Sequence, residues 1–226
     1  MNLDISGPIR FSKKLRIGLQ LPVTDTFEDK VWGDEVMAYG MADAFAELDC
    51  VEFVSIYNPY TIHDNLDIII NFYPIPLTRF IRGPINLWWY QAGIPSSQKI
   101  YWKKIVTYYD GFMAAGSNLL KELKDKGAEN IIFFPMSANT SVYKPVEPVS
   151  KYSHDIVFCG NFNNARTKED VEKFISPLVG NFDFKIYGSG WDEFKDKFGE
   201  VLQGTIHPKD VPSLYSSVKN CIINSF

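Results

Sequence analysis

Short apolar runs alternate with helix-like segments along the whole chain. The first half contains six apolar runs of strand length, and polar or amphipathic segments separate them. This alternation is typical of β-α-β units built around mainly parallel sheets. The six predicted strands span residues 15–21, 51–57, 66–72, 85–90, 111–117 and 131–135.

A second series of apolar runs begins at Asp155. The runs DIVFCGN, FKIYGSGW and VLQGTI predict three strands that helices follow, and CIINSF predicts a fourth strand without a helix after it. Ligands of open parallel sheets bind beyond the carboxyl ends of the strands. The pattern therefore predicts that Asn224 and Ser225 lie at a binding edge.

A proline-containing segment separates the two series. Pro145 and Pro148 remove backbone donors and stiffen the chain, as is typical of a linker. We expect a boundary within residues 147–152, which gives an amino-terminal domain of residues 1–148 and a carboxyl-terminal domain of residues 149–226.

Two helices are predicted most clearly. Asp34 is a plausible N-cap, and apolar residues recur at helical spacing from Val36 to Leu48. A second helix starts near Ser117 and ends at Gly127, where a left-handed backbone conformation is expected.

Composition narrows the function classes. The 226 residues are 46% hydrophobic and 15% aromatic, which suits packed cores, and the net charge of −4 gives no general reason to expect nucleic acid or an anionic membrane as a partner. The three cysteines form no CxxC pair, which favours free thiols in a reducing compartment. No run resembles a signal peptide or an integral membrane segment, so we expect a cytoplasmic protein.

A polar loop follows the predicted strand at 155–161. Gly160 and Asn161 offer backbone N–H groups, and Arg166 adds a forked cationic donor, which together suit a diphosphate. The alternative is an ordinary β-α turn with a solvated arginine.

The segment Tyr187 to Trp191 follows the next strand. Gly188 and Gly190 let the backbone approach a flat ligand, and the Trp191 ring is able to stack on it. The dinucleotide fingerprint needs a third glycine and a later acidic residue, so this is no NAD site. The alternative is a tight turn with Trp191 packed on the sheet edge.

The loop before the first helix is long and acidic. Asp25, Asp29 and Asp34 are candidate general bases towards a hydroxyl group. The alternatives are that Asp34 caps the helix and that the other two are solvated.

The run WWYQ at residues 88–91 combines aromatic rings with an amide. Such a combination suits a sugar, although core packing also explains the aromatic residues, and Gln91 is the more informative side chain. The three histidines show no metal-ligand spacing, and the chain has no GxSxG, P-loop or HExxH motif.

The motifs DIVFCGN, FKIYGSGW and VLQGTIHPKDVPSLYSSVKNCIINS, with Arg166 six residues after Gly160, resemble the donor-binding half of glycosyltransferases of the GT-B fold. The similarity is to their group-one, spore-maturation-type branch, and FFPMSANTSVYKP resembles the segment that leads into its linker. The resemblance implies two Rossmann-like α/β domains, the second of them incomplete, that face a cleft.

The resemblance also implies roles for individual residues. A nucleotide-sugar donor, with UDP or GDP as the nucleotide, would contact Gly160, Asn161 and Arg166 through its diphosphate. The acceptor, whether a glycan, a small molecule or a protein, would contact Trp32, Gly33, Asp34 and Gln91. No cofactor or metal is implied. The remaining residues that would contact the nucleotide-sugar donor are Tyr187, Gly188, Gly190, Trp191, the region from Val201 to Leu214, and Asn224 with Ser225.

One departure from the family stands out. The glutamate-bearing, glycine-rich segment that grips the donor would follow Phe226, so we expect a truncated chain with weak turnover. The strand CIINSF should pair beside DIVFCGN and expose its outer edge. Two alternatives stay open, namely a non-catalytic binding module and a sugar-nucleotide epimerase of related fold.

Overall fold

The chain forms two compact α/β units, each built around a parallel sheet. The computed structural model describes residues 13–22, 32–61, 65–74, 78–91, 102–162 and 167–222. The second unit contains the residues from Ala138 onward, together with the start of the first helix up to Val36. No helix among the described residues is long and apolar enough to cross a membrane.

The first unit contains a six-stranded sheet in which all neighbouring strands are parallel. All six predicted strands are confirmed, and their order in the sheet is β2-β1-β3-β4-β5-β6. The direction of progression therefore reverses between β1 and β3. The strands are β1 Leu15–Gln20, β2 Val51–Tyr57, β3 Ile68–Asn71, β4 Ile85–Tyr90, β5 Gly111–Ala114 and β6 Ile131–Phe133.

In the described part of the chain, three helices accompany this sheet: α1 Gly33–Ala46, α2 Trp102–Ile105 and α3 Ser117–Asp125. The prediction that Asp34 caps α1 is wrong, because the helix already includes Gly33 and Asp34 lies in its first turn. Gly127 does adopt a left-handed conformation after α3, with φ of 83°. Leu48, expected on the apolar face, lies beyond α1 and is exposed.

The aromatic run of β4 is core. Trp88 and Tyr90 pack on one face of the sheet with residues of α2 and α3, whereas Trp89 packs on the other face with Ala38 of α1. Successive side chains of a strand point to opposite faces, and helices cover both faces here. All three rings are buried. The sequence left open whether they bind a sugar or pack in the core, and this burial agrees with core packing.

The second unit contains a three-stranded parallel sheet in the order β8-β7-β9. Its strands are β7 Ile156–Cys159, β8 Phe184–Tyr187 and β9 Asn220–Ile222. The predicted pairing of the last strand beside β7 is confirmed, with Val157 opposite Cys221. The predicted strand VLQGTI is wrong: Leu202 makes one isolated bridge to Ile186, and the chain then turns at Gly204, whose φ is 76°.

Short helical segments cover this sheet. After β7 the chain forms α4 Lys168–Asp170, which continues as a π-helix and a 3-10 turn to Leu178. After β8 comes α5 Lys195–Phe198, and α6 Val211–Ser217 leads into β9. Thr167 and Asp170 form a reciprocal capping box that fixes the start of α4.

An aspartate directly precedes each of the strands β3, β5, β7 and β8, and the first three of these carboxylates bond to the backbone of a neighbouring strand or its start. Asp67, before β3, accepts a hydrogen bond from the backbone N–H of Arg16 at 2.9 Å. Asp110, before β5, accepts one from Asn86 at 2.7 Å, and Asp155 accepts one from Asp183 at 3.3 Å. These carboxylates satisfy backbone N–H groups at the amino edge of the sheets and so tie the starts of neighbouring strands together.

Candidate functional site

A pocket of about 230 Å³ lies beyond the carboxyl ends of β7 and β8. Its position follows from the topology, because the backbone of parallel strands ends there and the connecting loops diverge. All of its lining residues belong to the second compact unit. They are Gly33, Val36, Tyr143, Cys159, Gly160, Asn161, Tyr187, Gly188, Thr205, Ile206, Pro208 and Val211.

The loops after β7 and β8 are joined by hydrogen bonds. Gly160 donates its N–H to the carbonyl of Tyr187 at 2.8 Å, and Phe162 donates to Ser189 at 2.9 Å. The side-chain oxygen of Asn161 accepts hydrogen bonds from the N–H of Ser189 at 2.8 Å and from its hydroxyl at 3.1 Å. The pairing of the two strands therefore continues into the pocket wall, and Asn161 holds the wall together.

The glycines of the GSGW segment are required by this contact between loops. Gly188 has φ of 149°, and a Cβ atom there would lie 2.2 Å from the carbonyl oxygen of Gly160. Gly190 has φ of 84°, and a Cβ atom there would lie 2.2 Å from the carbonyl oxygen of Phe162. The close backbone approach expected for a ligand is in fact made by the neighbouring loop.

Trp191 is part of the core. Its ring packs against Phe158, Phe162 and Phe194, and its indole N–H donates a hydrogen bond to the carbonyl of Gly160 at 2.9 Å. The side chain is only 4% exposed, so it does not line the pocket. The geometry matches the alternative of a tight turn with a packed tryptophan.

The titratable groups that line the pocket are held in their neutral forms. Burial raises the pKa of the Cys159 thiol, whereas a hydrogen bond with Tyr215 lowers it to a smaller extent. Burial likewise raises the pKa values of Tyr143 and Tyr187. The described lining carries no charged side chain, and its polar side chains include Asn161 and Thr205.

The pocket brings together several residues that the sequence predicted and leaves others elsewhere. Gly33, Gly160, Asn161, Tyr187 and Gly188 line it. Gly190 lies in the turn behind the pocket wall, and Leu214 is fully buried in the core beneath the sheet. Trp32 is exposed just before α1.

Gln91 lies in the first unit, directly after β4. Its side-chain nitrogen is buried and has no hydrogen-bond partner among the residues that the structure describes, and the same is true of the amide oxygen of Asn71 at the end of β3. Several further predicted residues fall outside the described part of the chain, so their predicted roles stay predictions. They are Asp25, Asp29, Arg166, Asn224 and Ser225.

The sequence analysis missed three pocket residues, which are Val36, Tyr143 and Cys159. It assigned Val36 only to the apolar face of the first helix. Cys159 is the last residue of β7, and the rule that ligands bind at the carboxyl ends of strands was sufficient to identify it. Tyr143 precedes β7 by more than ten residues, and no local pattern marks it. Thr205, Ile206, Pro208 and Val211 fall within the region that the family resemblance assigned to the nucleotide pocket.

Known proteins give no independent identification. No protein-family model and no curated protein matches this chain. Within the described residues, His, Cys, Asp and Glu side chains form no group of three or more that could hold a metal ion. The functional argument therefore rests on the pocket and on the topology that positions it.

Proposed function

We propose that the chain is a nucleotide-sugar-dependent glycosyltransferase of the GT-B type, and that the pocket beyond β7 and β8 receives the nucleoside part of the donor. One observation carries this proposal: a neutral pocket lies at the carboxyl edge of a parallel sheet, and the joined Gly160 and Gly188 loops form one of its walls. A flat base fits between backbone and apolar walls, and amide and hydroxyl groups can read its edge.

The neutral lining of the pocket suits the base of the nucleotide and does not suit the diphosphate. A phosphate group needs N–H donors or cations, and the described lining contains no Lys or Arg. The diphosphate would therefore lie outside this pocket, along the loop after Asn161, where Arg166 is the proposed cationic partner. UDP and GDP donors both satisfy this arrangement.

The proposed reaction transfers a glycosyl group to a hydroxyl. The acceptor oxygen forms a bond to the anomeric carbon, the bond from that carbon to the phosphate oxygen breaks, and the nucleoside diphosphate leaves with the electron pair. A carboxylate takes the acceptor proton, and Asp25, Asp29 and Asp34 are the candidates. Trp32, Gly33 and Gln91 remain the candidate acceptor-side residues.

The test has two readouts on the same preparation of the full chain. Calorimetric titration with UDP and with GDP measures binding, and release of free nucleotide from UDP-glucose or GDP-mannose measures turnover with and without added acceptor sugars. Binding together with acceptor-dependent release supports the proposal. If neither nucleotide binds at millimolar concentration, the proposal is wrong.

A non-catalytic binding module is the second candidate. The observation in its favour is that the described lining of the pocket carries no charged side chain, and a binding role requires no ionised group there. It predicts nucleotide binding with no release of nucleotide from either donor. Conversion of the donor sugar without an acceptor would instead favour an epimerase.

A further inference from the structure

Tyr143 reaches the pocket from a segment that precedes the second sheet. A turn headed by Asn139 sets its position: the Asn139 side chain accepts hydrogen bonds from the N–H and hydroxyl of Ser141 at 3.1 and 2.6 Å. The Asn139 carbonyl accepts hydrogen bonds from Val142 at 3.1 Å and Tyr143 at 2.8 Å. This turn places the Tyr143 ring in the pocket wall.

We call the segment around this turn, residues 138–149, the strap. The strap is bound to α6 by two serine hydroxyls. Val146 donates its N–H to the hydroxyl of Ser216 at 3.0 Å, and Val149 donates to the hydroxyl of Ser217 at 2.7 Å. The Ser217 hydroxyl in turn donates to the carbonyl of Ser213 at 2.6 Å, which orients its lone pairs towards Val149.

Prolines make these two hydrogen bonds important for the strap. Pro145 and Pro148 have no N–H, so few backbone hydrogen-bond donors remain between Lys144 and Ser150. The strap there has no regular secondary structure, and residues 144–148 are exposed. Val149 alone packs against a core cluster, beside Val157 and Leu214. The docked position of this part of the strap therefore depends on the two serine hydroxyls together with the packing of Val149.

The helix that binds the strap also contributes to the pocket. Val211 begins α6 and lines the pocket, and the strap serines lie at the other end of the same helix. Tyr143 and Val211 both line the pocket, and hydrogen bonds join the strap and the helix to which they belong. A displaced strap would remove the Tyr143 ring from the pocket.

We propose that Tyr143 is a ligand-positioning residue and that ligand binding is coupled to docking of the strap on α6. The docked strap completes the wall that the base packs against, and a bound base stabilises the docked strap. Coupling of this kind is reciprocal, so each event strengthens the other by the same factor. The inference rests on the proposed function, since the ligand is taken to be a nucleotide.

The experiment uses the full chain with UDP and GDP as probes. The double variant S216A/S217A should raise the Kd of the bound nucleotide about fivefold or more, and S150A/S153A, which changes two exposed serines of the same unit, should leave it unchanged. Y143A should raise the Kd about tenfold, whereas Y143F retains the ring and should stay within about twofold of the native chain.

A second readout reports on the strap directly. Amide hydrogen exchange at Val146 and Val149 should slow when the nucleotide binds to the native chain, and it should be fast in S216A/S217A with or without the ligand. This measurement separates coupling from a general loss of stability, because exchange in β7 and β8 should be the same in both proteins.

The outcomes separate the two proposals. If the native chain binds nucleotide but S216A/S217A and Y143A bind it equally well, the coupling is wrong, whereas the proposed function is not contradicted. The same holds if bound nucleotide leaves exchange at Val146 and Val149 unchanged. If the native chain binds neither UDP nor GDP, the proposed function and the coupling are both wrong.

Discussion

The backbones of Gly188 and Gly160 are so close that a single added carbon atom does not fit between them. A Cβ atom on Gly188 would lie 2.2 Å from the carbonyl oxygen and 2.6 Å from the carbonyl carbon of Gly160. Both contacts are to backbone, which cannot rotate away as a flexible side chain can. The glycine therefore holds the β7 and β8 loops together as one wall of the pocket.

Gly188→Ala should destabilise the second unit by about 3 kcal/mol, because it adds steric overlap to an unfavourable φ. The matched control is Gly180→Ala. Gly180 also has a positive φ, of 80°, but a Cβ atom there would meet nothing within 4 Å. The control should cost about 1 kcal/mol. Urea unfolding followed by tryptophan fluorescence measures both, and equal losses would contradict the steric argument.

The carboxylate of Asp67 should make the first unit sensitive to acid. Its pKa lies well below the usual range because Lys13 and Arg16 donate hydrogen bonds to the ionised form. In the unfolded chain the same group titrates near pH 4. The stabilisation is therefore complete above about pH 5, and it is lost progressively as the pH falls towards the lower pKa of the folded state.

Asp67→Asn should remove this dependence and cost about 1 kcal/mol at neutral pH, since it weakens charge-assisted hydrogen bonds to two cations, of which Lys13 is largely exposed. Asp49→Asn, in the exposed connection between α1 and β2, is the control and should cost less than about 0.5 kcal/mol. Thermal unfolding from pH 3 to pH 7 is the measurement. If the native chain and Asp67→Asn lost stability equally as the pH fell, Asp67 would not be the source of the acid sensitivity.

The strands were predictable because burial on both faces of a parallel sheet produces continuous apolar runs. β2 and β4 begin and end where the apolar runs do. VLQGTI was mistaken for a strand because it is apolar at both ends. Its central Gly204 adopts a positive φ, which interrupts the extended backbone after a single bridge from Leu202 to Ile186 of β8.

The site was less predictable because the same residue types serve packing and binding. The Trp191 ring has the chemistry to stack on a ligand, but the aromatic cluster around Phe158 and Phe194 buries it. Tyr143 is distant in sequence from the other pocket residues, and only the turn at Asn139 and the strap bring it to them. Periodicity reports which residues are buried and carries no information about contacts of this kind.

Filling the pocket should abolish nucleotide binding without unfolding the protein. Thr205 lines the pocket and is exposed, so Thr205→Trp introduces a large ring that occupies the ligand volume and leaves the core intact. The Kd for UDP or GDP should rise more than about tenfold, which corresponds to a loss of at least about 1.4 kcal/mol.

The matched control for this change is Gln203→Trp, which adds the same ring two residues away, where the side chain is exposed and does not line the pocket. Its Kd should stay within about twofold of the native value. Calorimetric titration of both variants is the measurement. Binding that survives in Thr205→Trp would place the nucleotide elsewhere on the chain.

The cysteines should differ in their rates of alkylation. Burial raises the pKa of Cys159, so the reactive thiolate is scarcer there at neutral pH than for an ordinary thiol, whose pKa is about 8.5. Cys221 is exposed. Iodoacetamide should therefore label Cys221 first, and labelling of Cys159 should accelerate only as the pH rises above that ordinary value.

The hydroxyl of Tyr215 modulates this behaviour. It shares a hydrogen bond with the Cys159 thiol that lowers the thiol pKa, although burial has the larger opposite effect. Tyr215→Phe should therefore slow labelling of Cys159 by about threefold or more at a given pH, and it should leave Cys50 unchanged. Peptide mass spectrometry resolves the three sites, and labelling in denaturing urea, where all three thiols are exposed, is the control. Equal rates at Cys159 and Cys221 in the folded protein would show that the pocket thiol is not shielded.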